Sequence, residues 1–144
     1  VGPDGSVYIA ESFNSGTTVK LRKVDPNGII TTIAGGNGPV TPGGSVINSE
    51  GDGGLATNAY FQSIVDVAVG ADGSIYLADY RDNRVRRIDT NGVISTIAGT
   101  GVGGDSGDGG PATQAQIGAR NVAVGSDDSV YFGDQSRIRR IGQR

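Results

Sequence analysis

The sequence predicts an all-β chain built from small antiparallel sheets of four strands, and two observations carry that prediction. Between Val67 and Gly99, four short apolar runs at 67–69, 75–77, 85–88 and 93–98 are separated by turn residues, with Asp72-Gly73 in the first gap and Asn91-Gly92 in the last. The same unit returns, incomplete, on both sides. β-rich runs split by Asp-Gly and Asn-Gly signal hairpin-linked strands, because these pairs accept the positive φ that tight turns demand.

The repeat can be followed residue by residue. Val1–Glu11 (VGPDGSVYIAE) matches Val69–Asp79 (VGADGSIYLAD) and Val124–Asp134 (VGSDDSVYFGD), with Tyr8, Tyr76 and Tyr131 marking the register. The third strand recurs as KLRKV from Lys20, RVRRI from Arg84 and RIRRI from Arg137. The fourth occurs twice, as IITTIAG from Ile29 and VISTIAG from Val93. The first unit is longer by four residues between Glu11 and Lys20, by eight between Gly35 and Gly51, and by one before Val67. All three insertions fall between apolar runs, where loops tolerate length.

Each element then follows in order. Residues 1–50 supply the second to fourth strands of one unit and a long linker. Residues 51–106 supply a complete unit, and 107–144 the first three strands of a third. Ten strands are therefore expected. The linkers GDGGLATNAYF (51–61) and GDGGPATQAQI (107–117) each open on a tight glycine turn and continue as a short helical turn, with Ala and Phe or Ile facing inward. Gly73 and Gly92 are expected at positive φ. The second strand places Ser74, Tyr76 and Ala78 on one face and Ile75, Leu77 and Asp79 on the other. Neither face is strongly polar, which fits a sheet covered on both sides. Four-stranded sheets stacked face to face around an axis make a β-propeller, and the sequence predicts a segment of one.

Composition narrows the chemistry. The 144 residues include 26 Gly but no Cys and no His, and the net charge is −3. Disulfides, thiolate metal sites and Ser-His-Asp or Cys-His catalytic sets are therefore excluded within this chain, and no basic excess marks a nucleic-acid or anionic-membrane surface. No apolar run approaches the roughly 20 residues of a membrane span. Val1 falls inside a repeat, so a longer natural N-terminus is expected.

The pattern VAVGADGSIYLAD…NRVRRID.NGVISTIAG followed by GDGGPAT resembles the NHL repeat, in the variety with IAG…GDGGPAT linkers. The resemblance covers nearly the whole chain, in one full and two partial repeats. It implies an NHL-type β-propeller segment of about two and a half four-stranded blades. It also implies a non-catalytic binding or scaffold module for protein or ligand partners, without cofactor, within a larger extracellular or cell-surface protein. The remaining blades of that protein, or other copies of the chain, are the expected partners; nucleic acid and membrane insertion are not. Two alternatives stand beside it: a structural subunit that joins copies edge to edge, and a propeller enzyme, lyase or hydrolase, with a channel metal. The chain departs from the family pattern at Gly2, Gly70 and Gly125, where Asp is common, and at Asn83, where His is common.

Several constellations carry candidate roles. The opposite charges Glu11/Lys20, Asp79/Arg84 and Asp134/Arg137 recur at one site, and read first as ion pairs bracing the turn between second and third strands, with ligand binding by the carboxylates as the alternative. Arg84, Arg86, Arg87, Arg137, Arg139 and Arg140 make two basic strands. RNA binding is one reading, but no aromatic side chains interleave them for base stacking, so packing of their stems with local ion pairs is preferred. Asp66 and Asn121 stand at matching positions where the family has Gly. As oxygen ligands at a channel mouth they could hold Ca²⁺; alternatively they replace Gly at positive φ, which Asp and Asn tolerate best. The Gly-rich loop 103–110 lacks the Lys-Ser/Thr of a phosphate loop and the closing Glu of a calcium loop, and its counterpart at 51–54 marks it as a structural turn.

Overall fold

A computed structural model describes residues 1–13, 18–36 and 51–142, so the insertions after Glu11 and after Gly35 lie largely outside the described residues. Ten strands are present among the described residues: β1 (Val7–Phe13), β2 (Thr18–Val24), β3 (Ile30–Ala34), β4 (Ile64–Val69), β5 (Ile75–Asp79), β6 (Arg84–Ile88), β7 (Ile94–Ala98), β8 (Ala119–Val124), β9 (Val130–Asp134) and β10 (Arg137–Ile141). The two linkers form 3₁₀ turns at Ala56–Asn58 and Ala112–Gln114. Their inward residues are those expected, with Ala59 and Phe61 in the first and Ala115 and Ile117 in the second all buried.

The expected β-propeller is corrected by the topology. The strands form three separate antiparallel sheets, ordered β1-β2-β3, β4-β5-β6-β7 and β10-β9-β8, and none is closed or curled into a propeller blade. Every strand pairing joins neighbours in sequence. Local turn chemistry is sufficient for such pairings, whereas a closed ring needs a distant segment to cross between units, and no such pairing is present among the described residues. What the repeat encodes is a stack of sheets.

The stack has two cores. Leu21, Ala34 and Val19 of the first sheet meet Ile75, Leu77, Ile88 and Ile94 of the second, with Phe61 between them. Tyr76, Ala78 and Val85 on the opposite face of the second sheet meet Val122, Val130 and Phe132 of the third. All five residues of β5 are therefore buried, as a sheet covered on both faces requires. Side chains such as Leu77 contribute about 1.5–3 kcal/mol each through burial.

The linkers stitch this stack with backbone hydrogen bonds. Gly35 N–H donates to the Ala56 carbonyl and Gly36 N–H to that of Ala59. On its other side the linker borders β7, with Gly53 N–H donating to the Ile94 carbonyl and Ile94 N–H to that of Gly54. The second linker repeats the first of these ties, through Gly99 N–H to Ala112 and Thr100 N–H to Ala115.

Gly73 and Gly92 have φ of 87° and 80°, as the turn reading requires. In the third unit the position of Gly73 is held by Asp128 at φ 59°. Gly73→Asn is therefore expected to melt close to the parent protein, and Gly73→Val to lose about 1–2 kcal/mol, the cost of a left-handed conformation for a side chain without local hydrogen bonding. Thermal unfolding of the two variants side by side checks this.

Candidate functional site

The most regular polar feature lies at the equivalent turns that lead into β1, β5 and β9. Asp4 accepts the Ser6 N–H at 3.0 Å and the Ser6 hydroxyl at 2.8 Å. Asp72 does the same with Ser74, and Asp127 with Ser129. A cation from the third strand completes each set: Lys23 lies 3.0 Å from Asp4, Arg87 3.6 Å from Asp72, and Arg140 3.3 Å from Asp127. The serines are fully buried, so the carboxylate satisfies a hydroxyl that would otherwise be stranded, joined by Arg87 at Ser74 and by Arg140 at Ser129.

These bonds hold the carboxylates ionised. The Ser6 backbone N–H, then its hydroxyl and Lys23, lower Asp4 to about 2. The same serine contacts lower Asp72, through the Ser74 N–H first, and Asp127, through the Ser129 hydroxyl first. Folded-state values below the unfolded value of about 3.9 mean that the folded chain gains stability from the ionised groups. That stability is fully present above about pH 4 and is lost as pH falls toward 2. Urea denaturation should therefore find the protein less stable at pH 3 than at pH 7, and Asp127→Asn should narrow the difference.

The second feature is a buried arginine in the middle of β6 and of β10. Arg139 is 7% exposed and lies within a cage of acceptors. Its Nε and Nη2 donate to Asp108 Oδ1 at 2.9 and 2.6 Å, and its Nη1 to the Gln116 carbonyl at 2.8 Å and to Asp134 Oδ2 at 3.1 Å. Nη2 also reaches the Ser106 carbonyl at 3.1 Å. Burial works against its charge, but its hydrogen bonds to Asp108 and Asp134 outweigh that and raise its basicity. Arg86 is fully buried, donates to Asp52 at 2.7 Å and lies over the Phe61 ring. Burial opposes the Asp52 charge as well, yet Thr96 and Arg86 together lower it. Asp52 and Asp108 are the same residue of the two GDGG linkers, so each arginine clips a linker onto its sheet. In the first sheet, Arg22 pairs with Glu11 at 3.6 Å.

Glu11 lies opposite Lys20, Asp79 opposite Arg84 and Asp134 opposite Arg137 in the strand registers. The carboxylates nonetheless reach elsewhere. Glu11 pairs with Arg22, Asp134 pairs with Arg139 and accepts the Gly118 N–H at 3.1 Å, and Asp79 accepts the Ser63 N–H at 2.9 Å. Arg84 pairs with Asp82, and Arg137 with Asp105 at 3.3 Å. Arg86 and Arg139 are core residues, so the two basic strands do not present a continuous cationic surface.

Asp66 and Asn121 sit at register shifts where β4 and β8 bulge against their partners. Neither has positive φ, so the reading of them as glycine substitutes is corrected. The bulges need acceptors instead. Asp66 Oδ1 accepts the Val67 N–H, and Oδ2 crosses to the third sheet to accept the Val122 N–H, both at 2.9 Å. Asn121 Oδ1 accepts the Gly133 N–H at 2.7 Å. The two side chains are thus brought to neighbouring places, each already bonded to backbone. Among the described residues, no group of three or more His, Cys, Asp or Glu gathers to hold a metal ion.

The equivalent turns at 1–3, 69–71 and 124–126 converge on a cleft of about 340 Å³, lined by backbone and small side chains. Gly2, Gly70 and Gly125 lie here, and a Cβ on each would come within 2.8–3.0 Å of the turn aspartate. A side chain at these positions would press on the Asp-Ser ties. The sequence carried a signal for the arginine clips, since the Asp of GDGG recurs with the central Arg of the third strand. Nothing local marked the bond from Asp66 to Val122.

Comparison with known proteins places this arrangement in context. The model of the Teneurin NHL domain matches residues 38–102, part of which lies outside the described residues. Human Teneurin-4 is 32% identical over 99 residues, covering 59% of this chain, and chicken Teneurin-1 is 33% identical over the same length. The chain spans about 4% of the length of these curated relatives. Among solved structures, a structural-genomics protein of unknown function from Bacteroides thetaiotaomicron is similar with TM-score 0.67 at 20% identity, over 92% of this chain and 32% of that one. Regucalcin, a calcium-binding protein from Agrobacterium tumefaciens, is similar with TM-score 0.59 at 12% identity, over 96% of this chain and 39% of that one. These two likenesses show the fold alone. The sequence matches support an NHL-domain assignment in general, and an interaction-module role is consistent with them. No helix among the described residues is long and apolar enough to cross a membrane.

Proposed function

We propose that the chain is a non-catalytic interaction module of the NHL-repeat variety with IAG…GDGGPAT linkers, carried in a larger extracellular or cell-surface protein. The observation that carries this reading is the commitment of the recurring charged groups to the scaffold. Asp4, Asp72 and Asp127 tie serines, Asp52 and Asp108 clip linkers through Arg86 and Arg139, and Asp66 bridges two sheets. A groove that performs acid–base chemistry needs such groups aimed at a substrate. Here they hold sheets in place and leave broad sheet faces for contact.

Binding to intact cells of the source organism tests the reading. Fluorescently labelled chain should bind saturably, unlabelled chain should compete, and mild surface proteolysis of the cells should abolish the signal. Unsaturable binding, or a saturable signal that appears only after permeabilisation, would contradict it.

A further inference from the structure

The two linker clips fill their arginines differently. Arg139 places every guanidinium nitrogen on protein acceptors: Nε and Nη2 on Asp108, Nη1 on the Gln116 carbonyl and Asp134, and Nη2 again on the Ser106 carbonyl. Arg86 holds the same place in β6 and is more deeply buried, at 0% against 7% exposed. Its Nη2 donates to Asp52 at 2.7 Å. Its Nε and Nη1 are also buried, and neither has a hydrogen-bond acceptor among the described residues. A guanidinium stays protonated in proteins, so Arg86 cannot shed these donors. Buried donors in folded proteins are paired with protein or with ordered water.

Local differences account for the two unfilled donors. Asp108 turns one oxygen onto two nitrogens of Arg139, whereas Asp52 is shared with Thr96, whose side chain and backbone both hydrogen-bond to it. Tyr60 stands where Gln116 stands in the second linker, but the chain that follows it is one residue longer. Gln62 is extra between Phe61 and Ser63, whose N–H binds the buried Asp79, whereas Ile117 runs directly into Gly118, whose N–H binds Asp134. The added residue gives the linker backbone slack to stand off Arg86. The nearest packing around the guanidinium supplies no acceptor: the Phe61 ring centroid is 5.5 Å from Cζ, and Leu77 lies opposite in the strand register. The Asp52 side chain is 48% exposed, which gives solvent a way in beside the clip.

We propose that Arg86 binds internal water, one molecule accepting from Nε and a second from Nη1, because these N–H groups point from different edges of the planar guanidinium. Water suits the place better than an anion. Asp52 already sits on Nη2, and the fully buried Asp79 follows Leu77 on the same face of β5, so a further negative charge would be repelled. The first linker is then held by a hydrated clip and the second by a dry one. The proposal is independent of the interaction-module reading.

Water-to-protein Overhauser contacts of the arginine Hε protons in the full isotope-labelled chain test this, with laboratory- and rotating-frame signs separating bound water from proton exchange. Arg86 Hε should show a contact with long-lived water, and Arg139 Hε, which donates to Asp108, should show none. A crystal structure of the same chain should place an ordered water within hydrogen-bond distance of each of Arg86 Nε and Nη1. No water contact at Arg86 Hε, a protein oxygen bonded to either nitrogen, or a halide at the site in crystals grown with bromide would overturn the proposal.

Discussion

Arg139→Ala is expected to destabilise the protein by about 3–5 kcal/mol, the cost of removing one partner from a buried ion pair. The loss falls chiefly on Asp134, which is 1% exposed and would keep a carboxylate in the core without its guanidinium partner, still accepting the Gly118 N–H. Asp108 and the Ser106 and Gln116 carbonyls would lose donors as well, and the second linker would come free of the third sheet. Against a total stability of roughly 5–15 kcal/mol, this is enough to populate the unfolded chain. Arg22→Ala is the matched control. Arg22 and Glu11 are partly exposed, at 32% and 19%, and 3.6 Å apart, so its removal should cost only about 0–1 kcal/mol. Urea denaturation of both variants measures the difference.

Gly99→Val should be nearly as damaging, for a different reason. Gly99 ends the fourth strand of the second sheet with φ of 97°, and a Cβ there would lie 2.1 Å from the Asn83 carbonyl oxygen. That atom is backbone and cannot swing away. The left-handed conformation costs roughly 1–2 kcal/mol and the displaced backbone roughly 1–3 more. Gly35, at the same place in the first sheet, meets the Val19 carbonyl oxygen at 2.2 Å, so the restriction belongs to the repeat. Gly92→Val separates the two contributions. Its φ is 80°, but nothing lies within 4 Å of an added Cβ, so only the conformational part should remain. Thermal melts should therefore rank Gly99→Val well below Gly92→Val.

The strands and their registers were legible because each is decided within a few residues. Asp72-Gly73 and Asn91-Gly92 close their turns locally, and the alternation of β5 sorts Tyr76 from Leu77 without reference to anything distant. The number of strands and the inward residues of the linkers follow from the same short-range patterns. Ring closure is not of this kind. A pattern that repeats along the chain states how one unit continues into the next and is silent on whether the ends of a stack meet, so the propeller expectation went beyond what the repeat encodes.

The candidate site divides the same way. Opposing charges at Glu11/Lys20, Asp79/Arg84 and Asp134/Arg137 face each other across the strands, yet Glu11 pairs with Arg22 and Asp134 with Arg139. Arg139 and Asp134 lie in the core, where an unpaired charge is costly, whereas Arg137 remains at the surface with Asp105. Asp108 and Arg139 are 31 residues apart, and Asp52 and Arg86 are 34 apart. Only the joint recurrence of the linker Asp and the central Arg hints at such pairs. Asp66 reaches Val122 across 56 residues, and its identity alone could not distinguish a bulge brace from a metal ligand.

A double-mutant cycle on Asp108 and Arg139 tests whether the recurring charges are scaffold that clips linkers to sheets. With Asp108→Asn, Arg139→Met and the double variant measured by urea denaturation, the account predicts a coupling energy between about 0.5 and 3 kcal/mol. Stability losses that simply add, to within about 0.3–0.5 kcal/mol, would contradict it.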